Sequence, residues 1–130
     1  MNILRIVKSL IASLVACFSI ASPVNGETVI EWAPFVKKDQ INEQLLISKA
    51  DAVNRQFLSL QPGFIKRSLV KKDKYNFADI VHWGSLTAAQ QAAKKVSNCE
   101  VCNQYFSQMD HQKSKLAGSG FSYYQVLKEW

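Results

Sequence analysis

The sequence predicts an α+β domain of ferredoxin-like order, β-α-β-β-α-β: a four-stranded antiparallel sheet with two helices on one face. Three observations predict it. One segment repeats apolar residues at steps of three and four, the helical spacing, and another, behind a capping serine, is rich in Ala and Gln. Four others are short and rich in β-branched and aromatic residues. The middle two of these are joined by a short polar connection, which makes them a hairpin.

In chain order, Glu27 to Val36 (ETVIEWAPFV) is the first strand, with Pro34 near its end. Ile41 to Leu60 is the first helix. Its stripe is Ile41, Leu45, Leu46, Ala50, Val53, Phe57 and Leu60, and Pro62-Gly63 stops it. Phe64 to Lys71 is the second strand, Lys72 to Asn76 a polar connection and Phe77 to Gly84 the third strand. Ser85 caps the second helix, Leu86 to Val96, which is rich in Ala and Gln. Ser97-Asn98-Cys99-Glu100 matches a capping box, so a further helical piece is expected from there to about Met109. Asp110 to Gly120 is polar, ends in Gly-Ser-Gly and reads as a loop. Phe121 to Trp130 is the last strand.

The chain of 130 residues is 48% hydrophobic and 20% charged, which suits one globular domain, residues 22–130, behind a leader. Arg5 and Lys8, the uncharged run Ser9 to Ile20 and the small residues before Pro23 read as an export signal over residues 1–21, with cleavage before Ser22. The run is too short to span a bilayer comfortably. Leu14-Val15-Ala16-Cys17 offers the rival reading of a lipoprotein signal, residues 1–16, with lipidated Cys17 as a membrane anchor. Phe18 and Ile20 continue the apolar run past that cysteine, which favours simple secretion, to the periplasm or beyond. Removing Arg5 and Lys8 lowers the net charge from +6 to +4. The remaining lysine and arginine pairs are scattered along the chain, so a nucleic-acid partner is not expected.

Helices that cover one face of a sheet leave the other to water, and that face should then be polar. Alternation argues otherwise. In the third strand Phe77, Val81 and Trp83 oppose Ala78 and Ile80. In the last, Phe121, Tyr123 and Leu127 oppose Tyr124, Val126 and Trp130. Both faces carry large apolar groups, each worth ~1.5–3 kcal/mol when buried, so a second copy of the sheet is the expected cover and a homodimer the expected assembly.

Gln61-Pro62-Gly63-Phe64-Ile65, Asp79-Ile80-Val81-His82-Trp83 and Ser85-Leu86-Thr87-Ala88-Ala89 resemble the antibiotic biosynthesis monooxygenase superfamily, over roughly residues 27–130. The resemblance implies a dimeric α/β barrel with a pocket beside each sheet. Its members include cofactor-free oxygenases on aromatic polyketides or quinols, haem-degrading oxygenases and proteins of no known activity. The haem-degrading branch uses an asparagine on the first strand and a tryptophan and a histidine on the second helix. Here the strand offers Glu31 and Trp32, and the helix positions fall near Ala92 and Cys102, so that activity is not expected.

A cofactor-free oxygenase would need a base and an apolar pocket for a small aromatic or quinone-like compound. No cofactor and no metal are expected. His82 has the best intrinsic pKa for the base. Asp79 or Glu31 would orient it, or act alone if desolvation raises its pKa. Trp32, Arg67, Trp83 and Tyr124 are the expected ligand contacts, with the aromatics stacking on a flat ring. The same residues have a plainer reading. His82 bonds backbone near the helix cap, Trp83 fills the core, and Glu31, Arg67 and Asp79 form cross-strand ion pairs. The second function carried forward is therefore a non-catalytic ligand-binding or interaction protein of the envelope.

Cys99-Glu100-Val101-Cys102 is a CxxC at the start of a helix. A structural disulfide is the first reading, since export implies oxidising surroundings. A redox-active pair has the spacing without a thioredoxin-like βαβ context. A metal site lacks further ligands, His111 being the sole downstream histidine.

Overall fold

The computed structural model describes residues 27–130. The proposed signal, its cleavage site and Cys17 lie outside the described residues. The strands are β1 (Val29–Val36), β2 (Phe64–Lys71), β3 (Asn76–Trp83) and β4 (Ser122–Gln125), in the antiparallel order β2-β3-β1-β4. Between them come α1 (Glu43–Gln56), α2 (Leu86–Lys95), α3 (Glu100–Phe106) and α4 (His111–Leu116). The expected ferredoxin-like fold is present, and its hairpin and both main helices stand where the sequence puts them.

The joints are built from local chemistry. Asn42 caps α1 by accepting the Leu45 N–H at 2.8 Å, and Ser85 caps α2 by accepting that of Ala88 at 3.1 Å. Gly63 takes φ +82°, open to glycine at little cost, and its carbonyl accepts the Gly84 N–H at 2.7 Å. A Cβ at Gly63 would sit 2.5 Å from Ala88 Cβ, so this glycine also lets the turn lie against α2. Leu46, Trp83, Cys102 and Tyr105 are the largest fully buried side chains, between the sheet and the helices.

Four details differ from the sequence reading. First, α1 ends at Gln56; Leu58–Leu60 tightens into a 3₁₀ turn, and Leu60 is exposed. Second, Cys99 and not Ser97 caps α3, its Sγ accepting the Cys102 N–H at 3.2 Å, because residues Val96–Asn98 extend α2 as a 3₁₀ turn. Third, the expected loop after Asp110 contains α4. Asp110 accepts the Lys113 N–H at 2.9 Å, and the Ser114 hydroxyl accepts the Val36 N–H at 2.9 Å. This short polar helix has no apolar stripe to announce it; it satisfies the edge of β1 that β4 leaves bare. Fourth, β4 spans four residues instead of ten. Its ladder closes where β1 begins, with Val126 N–H donating to Thr28 O at 2.8 Å, and Leu127 and Trp130 run on fully exposed.

Candidate functional site

Strand alternation decides which of the singled-out residues meet. In register, Glu31 of β1 and Arg67 of β2 flank Val81 of β3, and Asp79 lies two residues along the same face. All face the helices. Ile30, Trp32, Ile80, His82 and Tyr124 occupy the alternate positions and face away. The structure therefore unites Glu31, Arg67 and Asp79, and keeps Trp83 beside them in the core. It sets His82, Trp32 and Tyr124 apart on the open face. Neither Asp79 nor Glu31 can orient His82, because the sheet stands between them. The groups that act on His82 agree with that: burial, then Lys66, holds the imidazole below its ordinary pKa, with Glu129 pulling the other way.

Arg67 and Asp79 are the fixed part of the site. The guanidinium meets Asp79 Oδ1 twice, through Nε at 2.8 Å and Nη2 at 2.7 Å, and its Nη1 donates to Ala50 O at 2.7 Å. Tyr105 of α3 donates its hydroxyl to Asp79 Oδ2 at 2.9 Å, and its ring lies 5.1 Å from the guanidinium carbon. Burial raises the Asp79 carboxyl above the usual aspartate range, against the pull of Arg67 and Tyr105. Burial and the nearby Asp79 push the Tyr105 phenol far above its ordinary value, so it stays a donor. Both oxygens of Asp79 are engaged, and the network is scaffold for whatever lies beside it.

Glu31 is the group without such a use. It is 8% exposed and its carboxyl makes no hydrogen bond of regular geometry among the described residues. Burial lifts its pKa to about 7; the Trp83 indole N–H opposes that rise, Asp79 adds to it and Arg67 opposes it. The indole Nε1 is itself buried with no hydrogen-bond partner of regular geometry. Tyr123 pairs with Glu31 across β4 and β1, and its phenol is raised by burial and by the Glu31 charge.

Glu31 faces a small cavity of about 50 Å³ walled by Phe57, Leu58, Cys102, Tyr105, Phe106 and Phe121. A second cavity of about 190 Å³ lies along β1 toward α4, and the two share Ala33, Asp79, Phe106 and Phe121. Phe121 lines both cavities and is 49% exposed, so its ring stands between them and solvent. Among the described residues no cluster of three or more His, Cys, Asp or Glu could hold a metal ion, and no helix is long and apolar enough to cross a membrane.

Sequence reasoning missed Tyr105, Tyr123, Phe106 and Phe121. Tyr105 falls three residues after Cys102 on the apolar side of a helix of seven residues, too short for periodicity to single it out. The parity of β3 was legible; which parity faces the helices was not.

This arrangement defines a ferredoxin-like α+β domain with a buried carboxyl between sheet and helices. Among solved structures it is similar to SnoaB, a cofactor-independent oxygenase from Streptomyces nogalater, with TM-score 0.62 and 13% identity over 80% of this chain and 97% of that one. A mutant of the same oxygenase aligns with TM-score 0.56, also at 13% identity over 80% of this chain and 97% of that one. A conserved protein from Methanosarcina mazei Go1 aligns with TM-score 0.53 and 9% identity over 78% of this chain and 94% of that one. At these identities the likeness is one of fold. No protein-family model and no curated protein matches the chain.

Proposed function

We propose that the protein is an exported member of the antibiotic biosynthesis monooxygenase superfamily, and that Glu31 is the base of a cofactor-independent oxygenase. The carrying observation is the Glu31 carboxyl: buried, without a hydrogen bond of regular geometry among the described residues, raised to about 7 and facing a mostly apolar cavity. A carboxylate of that pKa can take a proton from a phenol, enol or activated C–H far better than an ordinary glutamate, while still being charged in part at neutral pH. The substrate anion so formed is electron-rich enough to meet oxygen in a dry pocket. The Trp83 indole N–H stands beside the carboxyl, Tyr123 lies opposite Glu31 in register, and Arg67, Asp79 and Tyr105 hold the floor. Cavities of about 50 and 190 Å³ favour a single-ring quinol over a polycyclic compound, since sites for drug-sized ligands run to about 300–1,000 Å³.

The reading includes a homodimer. Ile30, Trp32, Ile80 and Tyr124 make the open face apolar, with Trp32 37% and Tyr124 57% exposed, and a second copy is the cover that symmetry makes simplest. Oxygen uptake with a panel of hydroquinones and anthrones tests the activity. Uptake is expected for at least one hydroquinone, and its loss in Glu31→Gln. Quenching of Trp83 fluorescence by the same rings without any uptake would replace this reading with the non-catalytic ligand-binding one.

A further inference from the structure

The Cys99–Cys102 pair takes no part in the proton chemistry, and it joins two separate spaces. The cysteines are disulfide-bonded. Cys102 is 1% exposed and lines the cavity that holds Glu31. Cys99 borders a different space, a surface cleft of about 490 Å³ edged by Lys94 and Lys95. Glu100 borders it too, and its partner Gln104 Nε2 at 3.1 Å is neutral, so the cleft holds two lysine charges against one carboxylate. Lys95 Nζ has a neutral partner, Gln61 Oε1 at 3.3 Å, so its charge is left for the cleft.

The bridge spans a sequence separation of three, and so short a loop removes little entropy from the unfolded chain. Hydrogen bonds already hold α3: Asn103 N–H to Cys99 O at 3.0 Å, and Tyr105 to Asp79 at 2.9 Å. A cross-link that adds little stability, with Cys99 9% exposed at the edge of a cleft that has a net positive charge and Cys102 inside, suits exchange better than reinforcement.

We propose that Cys99–Cys102 is a thiol–disulfide exchange site for a small anionic thiol that docks at Lys94 and Lys95. The incoming thiolate attacks Cys99 Sγ, the Cys99–Cys102 bond breaks, and a mixed disulfide forms on Cys99. Cys102 leaves as a thiolate and takes a proton. A second molecule of the thiol attacks the mixed disulfide and frees Cys99. Two small thiols are thereby oxidised to one small disulfide, while the protein bridge is reduced to two thiols; the reverse sequence restores it. The lysines act on encounter, by drawing anions to the cleft, so their effect is screened by salt.

Three thiols of different charge test this on the folded protein: 2-mercaptoethanesulfonate, 2-mercaptoethanol and cysteamine. At low salt the anionic thiol is expected to reduce the bridge about tenfold faster per thiolate than the cationic one. That ratio should fall toward one in about 1 M salt, where the Debye length is near 3 Å, and in the Lys94→Gln/Lys95→Gln double variant. Independently, free Cys99 in Cys102→Ser should react with the dianionic 5,5′-dithiobis(2-nitrobenzoate) at least tenfold faster than free Cys102 in Cys99→Ser. Equal rates for the three thiols overturn the cleft's role. Faster labelling of Cys102, or reduction that needs urea, overturns the exchange site itself.

Discussion

The two faces of the sheet are made from the same strands and behave as different materials. Toward the helices, Glu31, Arg67 and Asp79 are enclosed, and all but Glu31 are matched by partners at hydrogen-bond distance. Away from them, Ile30, Trp32, Ile80 and Tyr124 form an apolar stripe beside His82 and Lys66, with no cover in the monomer. The covered face encloses polar chemistry within the apolar core of Phe35, Phe77, Val81 and Trp83, and the open face carries grease where an ordinary amphipathic sheet is polar. Burial gives a charge its leverage: on the covered face it turns Glu31 into a base near neutrality, whereas His82, on the open face, is moved the other way by burial and Lys66.

The largest way to break this contrast is Arg67→Met. It strands Asp79 and should cost about 3–5 kcal/mol in urea unfolding, because an uncompensated buried charge remains. Lys66→Met, its neighbour on the open face, should stay within about 0.5 kcal/mol.

Glu31→Gln sharpens the same comparison from the other side. The folded pKa of about 7 lies above the unfolded 4.5, so the native state favours the protonated acid. Its burial is cheap below pH 4.5, and stability falls as pH rises from there through 7. Removing the charge should therefore stabilise the protein at pH 8 by about 2–3 kcal/mol, at about 1.4 kcal/mol per pKa unit, with the gain fading below pH 5. A flat difference between variant and wild type from pH 4 to 8 would show that Glu31 titrates normally and is not the base.

Gly63→Ala tests the turn that seats α2 on the sheet. With φ +82° and Ala88 Cβ 2.5 Å from the added carbon, a loss of about 2 kcal/mol is expected by thermal or urea unfolding.

Trp32→Glu should leave monomer stability within about 1 kcal/mol and convert a dimer to monomers by ultracentrifugation at micromolar concentration. A wild-type protein that is already monomeric there ends the dimer proposal. The smallest effect is expected of His82→Ala: oxygen uptake by an active preparation unchanged within about twofold, since the imidazole lies across the sheet from the cavity. A large loss would return the base to His82.

Much of the fold was legible because it rests on local rules. Apolar spacing placed α1, Phe77 to Gly84 read as a strand by composition, and Ser85 with an Ala- and Gln-rich run announced α2. Elements without a local signature were not. Helix α4 exists because Ser114 and Asp110 complete the exposed edge of β1, and β4 is short because β1 ends. The site divides the same way. Glu31, Asp79 and Arg67 stood out as charged residues within strands, but Tyr105 sits on a short helix and reaches Asp79 across 26 residues of chain.

By itself the sequence determined the order of elements, the alternation along each strand and the CxxC, since these depend on residue type and neighbours a few positions away. Tertiary structure alone decided which parity of the strands lies under the helices. That choice comes from packing α1 and α3 on one side, where Trp83, Leu46 and Tyr105 fill the core, and it separates Glu31 from His82. A two-residue period specifies two faces; the side that receives the helices is set by the summed burial of the whole chain.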